Sequence, residues 1–523
     1  MNQTLRRVAL ATLLSLAVLG CPAVAFGQAG AASVQAVPLT ILHTNDTHSH
    51  LLPFSYPDGP VEAGAETTTL EERTDIGGIA RRATLVRRLR AQLAARHSDV
   101  WLVDAGDFSD GTPFSIEYKG TADIEAMNAV GYDFGTLGNH EFNIRLEDTR
   151  KLISMARFPL LCANAVDNAS GKLLVQESVV QNVGPVRVGV FGLLTRQAST
   201  YPAAKEGVTI ADEVETARRV VASLRQRADI VVLISHAGER VDNQLRREVP
   251  GIDVIVGGHS HSRLNREHPK WRPEELHPAN GTVIVQAHQW GGELGRVDLL
   301  FVKDQAGWHV DRYNAGLIYV DKKYKADPKV AAVVDRFWQP IAPKYGVVVG
   351  KAGDDFTKRG PDDAHYNLFA DAVRETFGTD IDLENTGSIR APIAKGKITS
   401  GDLVMMDPFN NTVVTLKLTG RDLKQVLAQT GAYVSGVRYQ SEKKQLVAAT
   451  IGGRPIEDER LYTVSTNSYF AGYAFLKVHP QDVVDTKRSR LEVVSDYIKK
   501  KGTVKPVYDG RRVVPRQDRP SDT

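Results

Sequence analysis

Along the first half of the chain, short apolar and β-branched runs recur, and each gives way to residues able to bind a metal. The run at 39–42 leads to Asp46 and His48, that at 100–103 to Asp104 and Asp107, and that at 134–137 to Asn139 and His140. Two further runs, at 230–234 and 252–256, lead to His236 and to the pair His259 and His261. Segments with helical spacing lie between them, such as Ile79, Leu85, Val86, Leu89 and Leu93. Short buried strands alternating with helices predict an α/β layer fold, whose ligands gather beyond the strand ends.

This pattern spans residues 38–320, broken by a stretch at 53–74 rich in Gly, Pro, Thr and Glu that reads as a surface loop. Val330, Val333, Val334, Phe337 and Ile341 then recur at helical spacing, predicting a linker helix within 321–344. Mixed strand and helix patterns resume over 345–514 as a second domain, so that the whole is α+β, and 515–523 form a polar tail. The 523-residue length agrees with more than one domain. At 42% hydrophobic and 24% charged the composition is globular, and a net charge of +3 gives no reason to invoke a nucleic acid polymer. The cluster Arg81, Arg82, Arg87, Arg88 and Arg90 reads as the solvated face of the helix whose apolar positions begin at Ile79.

Residues 1–31 have the parts of a secretory signal. Arg6 and Arg7 precede a short apolar core, and small residues at Ala23, Val24 and Ala25 offer a cleavage context. The core is too short to span a bilayer, and no second apolar span follows. The chain is expected to be exported, periplasmic or secreted. Val18, Leu19, Gly20 and Cys21 also resemble a bacterial lipoprotein cleavage box, so a lipid anchor at Cys21 stays open as an alternative. With Cys21 removed, Cys162 has no partner for an internal disulfide.

The chemistry lies at the strand ends. Asp46 and His48 alternate on an extended segment and so share a face. Gly106-Asp107 puts a carboxylate in a tight turn, placed to bridge two cations. Gly138-Asn139-His140-Glu141 offers an amide oxygen beside an imidazole, and Gly258-His259-Ser260-His261 offers two imidazoles. Oxygen and nitrogen donors without cysteine suit hard or borderline divalent metals, such as Mn, Zn, Co or Fe. Two such ions about 3.5–4 Å apart clamp attacking and leaving oxygens and lower the pKa of bound water, as phosphoester cleavage requires. His43, His50 and Asp104 lie nearby and read as orienting or structural residues.

In this order, these motifs resemble the calcineurin-like metallophosphoesterase signature. The text at 39–48 (Leu-Thr-Ile-Leu-His-Thr-Asn-Asp-Thr-His) is similar to the secreted branch of 5′-nucleotidases, UDP-sugar hydrolases and 2′,3′-cyclic-nucleotide phosphodiesterases. The resemblance implies an N-terminal β-sandwich flanked by helices, joined by the linker helix to a C-terminal α/β domain of the 5′-nucleotidase type. It implies two metal ions, one held by Asp46, His48, Asp107 and His261, the other by Asp107, Asn139, His236 and His259. His140 would then stabilise the transition state or assist the leaving group. Asn143 stands where the 5′-nucleotidase branch usually carries an aspartate paired with this histidine. An amide there supplies no charge, so His140 is expected to be less basic than in that branch.

The second domain resembles the same family through Asn385, Gly387 and Arg390, which match its phosphate- or sugar-gripping turn. Phe409 and Tyr469 match its base-stacking pair, with Phe470 the fallback for the second ring. Arg359 is a further phosphate-facing candidate. Tyr473 and its neighbours replace the family's Gly-Gly-Asp-Gly loop. The implied substrate is a nucleotide or related phosphoester. A 5′-nucleotidase is the leading expectation, with a 2′,3′-cyclic phosphodiesterase/3′-nucleotidase or a UDP-sugar hydrolase as alternatives. A non-catalytic binding protein on the same fold is a distant fourth.

Overall fold

The strand Ala36–Thr44 shows why the apolar runs are continuous. Its Leu39 and Ile41 face one core, while Leu42 faces another, so neither side of the strand meets water. The computed structural model that shows this describes residues 35–55, 74–264, 281–359 and 362–515, without the side chains of residues 358, 359 and 362. The signal segment, Cys21, most of the 53–74 loop and the end of the tail lie outside the described residues.

Ala36–Thr44 is an inner strand of a six-stranded sheet, ordered Gly307–Tyr319, Glu293–Asp304, Ala36–Thr44, Asp99–Asp104, Phe134–Thr136 and Leu160–Leu161. A five-stranded sheet packs on it, ordered Val283–Val285, Val254–Gly257, Ile230–His236, Val186–Leu194 and Ser178–Val183. Ile41, Val103, Val190, Val232, Ile234, Val256 and Phe301 fill the space between them. On the outer face of the first sheet lie the helices Ile79–Ala94, Thr121–Val130 and Pro328–Tyr345. Against the second sheet, Val231, Leu233 and Phe191 pack on Glu213–Leu224 and Glu239–Glu248. The result is a β-sandwich flanked by helices.

Ala36–Thr44, Asp99–Asp104 and Phe134–Thr136 run parallel, as do Val186–Leu194, Ile230–His236 and Val254–Gly257. Parallel pairing brings the C-terminal ends of a sheet to one edge, which is what assembles the candidate metal-binding residues.

The arginine cluster is less solvated than its pattern suggests. Arg81, Arg87 and Arg90 pair with Asp75, Asp327 and Asp133, but Arg82 is buried, at 1% exposure, beside Gly291. Position 82 lies one turn beyond Ile79, on the same stripe, so the helical period itself turns it inward.

Beyond the helix Pro328–Tyr345 a second domain is built on a five-stranded sheet, ordered Tyr433–Ser435, Ile381–Glu384, Leu461–Asn467, Thr412–Thr419 and Gln481–Ser489. The helices Ala364–Phe377, Gly420–Thr430 and Arg490–Lys501 cover it. Loops leaving this sheet carry Asn385 to Arg390 and Phe409 toward the strand ends of the first domain, where both line one cavity.

Candidate metal centre

The loop after Ala36–Thr44 is stitched to the loop after Asp99–Asp104: Asp46 N donates to Gly106 O at 2.9 Å and His48 N to Asp107 O at 3.0 Å. Asp46, His48, Asp107, His259 and His261 all have positive φ, between 45° and 73°. Left-handed backbone disfavours non-glycine residues, and its concentration on these side chains marks a site where geometry outweighs local comfort.

Seven donor side chains meet there. His261 Nε2 lies 3.3 Å from both Asp46 Oδ1 and His48 Nε2. His236 Nε2 lies 3.1 Å from Asp107 Oδ2 and 3.2 Å from Asn139 Oδ1. His48 Nε2 is 4.0 Å from both Asp46 and Asp107. Asp46, His48 and His261 thus form one group, and Asp107, His236 and His259 another, with the donor atoms of each within 4.8 Å of one another. Such a set of oxygen and imidazole donors fits divalent cations. Burial, helped by the charge of His140, pushes His48 down to about 3, and burial with His236 pushes His259 down to about 4. Both therefore offer the neutral ring that a metal ligand needs. Burial alone would raise Asp107, but His236 and His140 hold it well below the usual carboxylate range.

Other residues aim these donors. Asp104, raised to about 7 by burial, accepts Thr44 Oγ1 and Gly106 N and so shapes the turn before Asp107. Glu141 accepts the N–H groups of Asp107, Ser109 and Gly138 together with the Ser109 hydroxyl, tying two ligand loops into one body. Gly138 packs so tightly that a Cβ there would lie 2.1 Å from Asp107 Oδ1. His236 Nδ1 donates to Ala105 O at 2.6 Å, which turns Nε2 toward Asp107 and Asn139. His43 packs buried against Gly295, and His50 stacks on Trp290 at 4.4 Å, so both are structural.

The sequence pattern missed Tyr201. Its hydroxyl accepts Asn139 Nδ2 at 3.0 Å, which turns Oδ1 toward His236. Tyr201→Phe is expected to slow hydrolysis roughly 10- to 100-fold by freeing that amide, as loss of an outer partner to a metal ligand typically does. Steady-state rates and metal content of the variant check this.

His140 has a carboxylate partner that its sequence context did not reveal. Its Nδ1 lies 2.6 Å from Asp110 Oδ2, and the same oxygen accepts Asn143 Nδ2 at 2.8 Å. Burial would lower His140, but the carboxylates of Asp107 and Asp110 reverse this and raise it above the ordinary histidine value. Asp110 thus supplies beside the ring a negative charge that Asn143 does not. Asp110 sits before Gly111, and an Asp-Gly pair carries only a turn signal in sequence.

The opposite wall belongs to the second domain. A cavity of about 680 Å³ is lined on one side by Asp107, Asn139, His140, Asn143, His259 and His261, and on the other by Asn385, Gly387, Arg390, Phe409 and Tyr469. Arg390 stands 6.0 Å above the Phe409 ring. Phe409 and Tyr469 are 44% and 63% exposed, whereas Phe470 is 1% exposed within the core, so Tyr469 and not the fallback presents its ring. Tyr473, in place of the acidic loop, also lines the cavity. Asn385 Oδ1 accepts Asn467 Nδ2, which locks the turn to its sheet. The side chain of Arg359 lies outside the described residues.

Family models match this layout in both halves. Residues 39–263 match the calcineurin-like phosphoesterase model, and residues 348–477 match the 5′-nucleotidase C-terminal domain model. The chain is a two-domain metallophosphoesterase of the 5′-nucleotidase family. A Vibrio cholerae 5′-nucleotidase is 27% identical, covering 88% of this chain and 90% of its own length. The crystal structure of a Thermus thermophilus 5′-nucleotidase precursor superposes with a TM-score of 0.76 at 29% identity, covering 92% of this chain and 99% of that one. A Thermus thermophilus sulfate thiohydrolase, SoxB, shares the fold with a TM-score of 0.75 at 21% identity, covering 91% of this chain and 96% of that one. This metallophosphoesterase is a metal-dependent phosphoester hydrolase.

Proposed function

We propose that this metallophosphoesterase is an exported 5′-nucleotidase, releasing phosphate and nucleoside from nucleotides with two divalent cations. The observation that carries the reading is that one cavity has both the donor cluster and the Arg390–Phe409–Tyr469 wall. Asp46, His48, Asp107 and His261 would hold one cation, and Asp107, Asn139, His236 and His259 the other. When bound, such cations supply activation of a water and neutralisation of charge on the phosphoryl oxygens. Arg390 offers a fork of N–H donors to phosphate, and Phe409 with Tyr469 offers faces for a base. His140 directs Nε2 toward the donor cluster, 3.9 Å from Asp107 Oδ2, where it can donate to a phosphoryl or leaving oxygen. Export rests on the N-terminal signal pattern; among the described residues no helix is long and apolar enough to cross a membrane.

Asn143 and Tyr473 favour a second reading, a 2′,3′-cyclic or 3′-nucleotide esterase, because the one replaces the aspartate expected to pair with His140 and the other stands in place of the acidic loop expected near the nucleoside. Phosphate release with Mn, Co or Zn from 5′-AMP, 3′-AMP, 2′,3′-cyclic AMP (phosphatase-coupled) and UDP-glucose decides between them. Fastest turnover of 5′-AMP is expected. Preference for the cyclic or 3′ ester would overturn the 5′ assignment.

Base stacking makes its own prediction. Phe409→Ala or Tyr469→Ala is expected to raise KM for 5′-AMP about 5- to 100-fold, the equivalent of roughly 1–3 kcal/mol of stacking. Glycerol 2-phosphate, which has no base, should show no comparable change. Equal effects on both substrates would remove the two rings from base recognition.

A further inference from the structure

The His140 ring is fixed at two points. Its backbone N donates to Asp107 Oδ1 at 2.8 Å, and its Nδ1 meets Asp110 Oδ2 at 2.6 Å. An ionised carboxylate only accepts, so Nδ1 carries the proton and Nε2 faces the donor cluster. Asp110 reaches this position through left-handed backbone, φ 75°, on the loop that also carries Asp107. Asn143 donates to the same Asp110 oxygen and has no contact of its own with the ring among the hydrogen bonds described.

We propose that Asp110 is the positioning carboxylate for His140 in this chain, and that Asn143 acts one step further back by orienting Asp110. The two line different cavities, both of which His140 also lines. Asn143 lines the larger cavity with Phe409 and Tyr469, whereas Asp110 lines a neighbouring cavity of about 310 Å³ with His50 and Trp290. Placing the carboxylate at 110 leaves the substrate-side wall at 143 uncharged while His140 keeps an anionic partner. Asn143 Nδ2 and His140 Nδ1 converge on the same Asp110 oxygen, so a carboxylate at 143 should replace one at 110.

The inference rests on the hydrolytic reading of the site but not on any nucleotide preference, so 4-nitrophenyl phosphate serves as the probe. Wild type, Asp110→Asn and Asp110→Asn/Asn143→Asp would be compared for kcat, KM, metal content and thermal midpoint. Asp110→Asn keeps the side-chain shape and removes the charge. It is expected to lower kcat about 10- to 100-fold with KM within about twofold and metal content unchanged. The double variant should regain at least about tenfold. A kcat for Asp110→Asn within about twofold of wild type, or a double variant no faster than the single, would overturn the proposal. A second readout needs no turnover: with ¹⁵N-labelled histidine, the Nδ1–H signal that disappears in His140→Ala should move upfield in Asp110→Asn and return in the double variant. An unmoved signal would overturn the proposal even in an inactive protein, whereas inactivity of the wild type would tell against the hydrolytic reading instead.

Discussion

Asp107→Ala is expected to abolish phosphoester hydrolysis and to cost the centre at least one of its metal ions. Among the described residues, Asp107 is the one carboxylate within reach of all of His236, His259, His48 and His140. Its Oδ1 also accepts His140 N, so its loss releases a ring as well as a ligand. Outer partners of metal ligands are worth about 10- to 100-fold, and a ligand shared between two ions must exceed that; a loss above about 1,000-fold is expected. Metal content measured on the same preparation should fall from two equivalents to one or none. A variant that keeps both ions and its rate would show that Asp107 is not shared. The fold should survive, since Asp104 and Glu141, not Asp107, carry the hydrogen bonds that shape the loop.

Arg490→Met is expected to produce the largest loss of stability. Arg490 is fully buried and pairs with both Glu384 and Asp407, while its Nη2 donates to Ser388 O and its backbone N to Asn411 O. One guanidinium therefore holds the turn carrying Arg390 and the loop carrying Phe409. Removing it leaves two carboxylates buried beside each other without a cation, which costs about 3–5 kcal/mol. Burial raises Glu384 above its ordinary value against the pull of Arg490 and of the Asn467 amide, which donates to the same oxygen at 2.7 Å. Denaturant unfolding measures the loss, and KM for 5′-AMP should rise as the two loops loosen. A change below about 1 kcal/mol would mean that the carboxylates find other partners.

Much of the first domain was legible in its sequence because strands buried on both faces leave continuous apolar runs. Ile230–His236 is such a run, with Val232 and Ile234 facing the sandwich and Val231 and Leu233 facing helices. Parallel strands also bring their C-terminal ends together, so residues at those ends in sequence became neighbours in space. What escaped had no periodic signal. Asp110 reads as a turn residue, and its partner His140 is 30 positions away, where only folding shows the contact. Tyr201 acts through the far side of an amide. Arg82 did carry a signal, the position one turn after Ile79, but the chemistry of arginine argues for solvent and masked it. In the second domain, Tyr469 and Phe470 are adjacent and chemically alike. Only the helix Ser468–Ala474 separates them, by turning one ring into the core and the other toward the cavity.

The central claim is that two cations work together on a nucleotide held between the domains. Titrating the metal-stripped mature protein with Mn or Zn, while following both bound metal and phosphate release from 5′-AMP, tests it most directly. Hydrolysis should appear with the second equivalent and be lost again on chelation. Full activity at one equivalent, or activity that survives complete removal of metal, would contradict it.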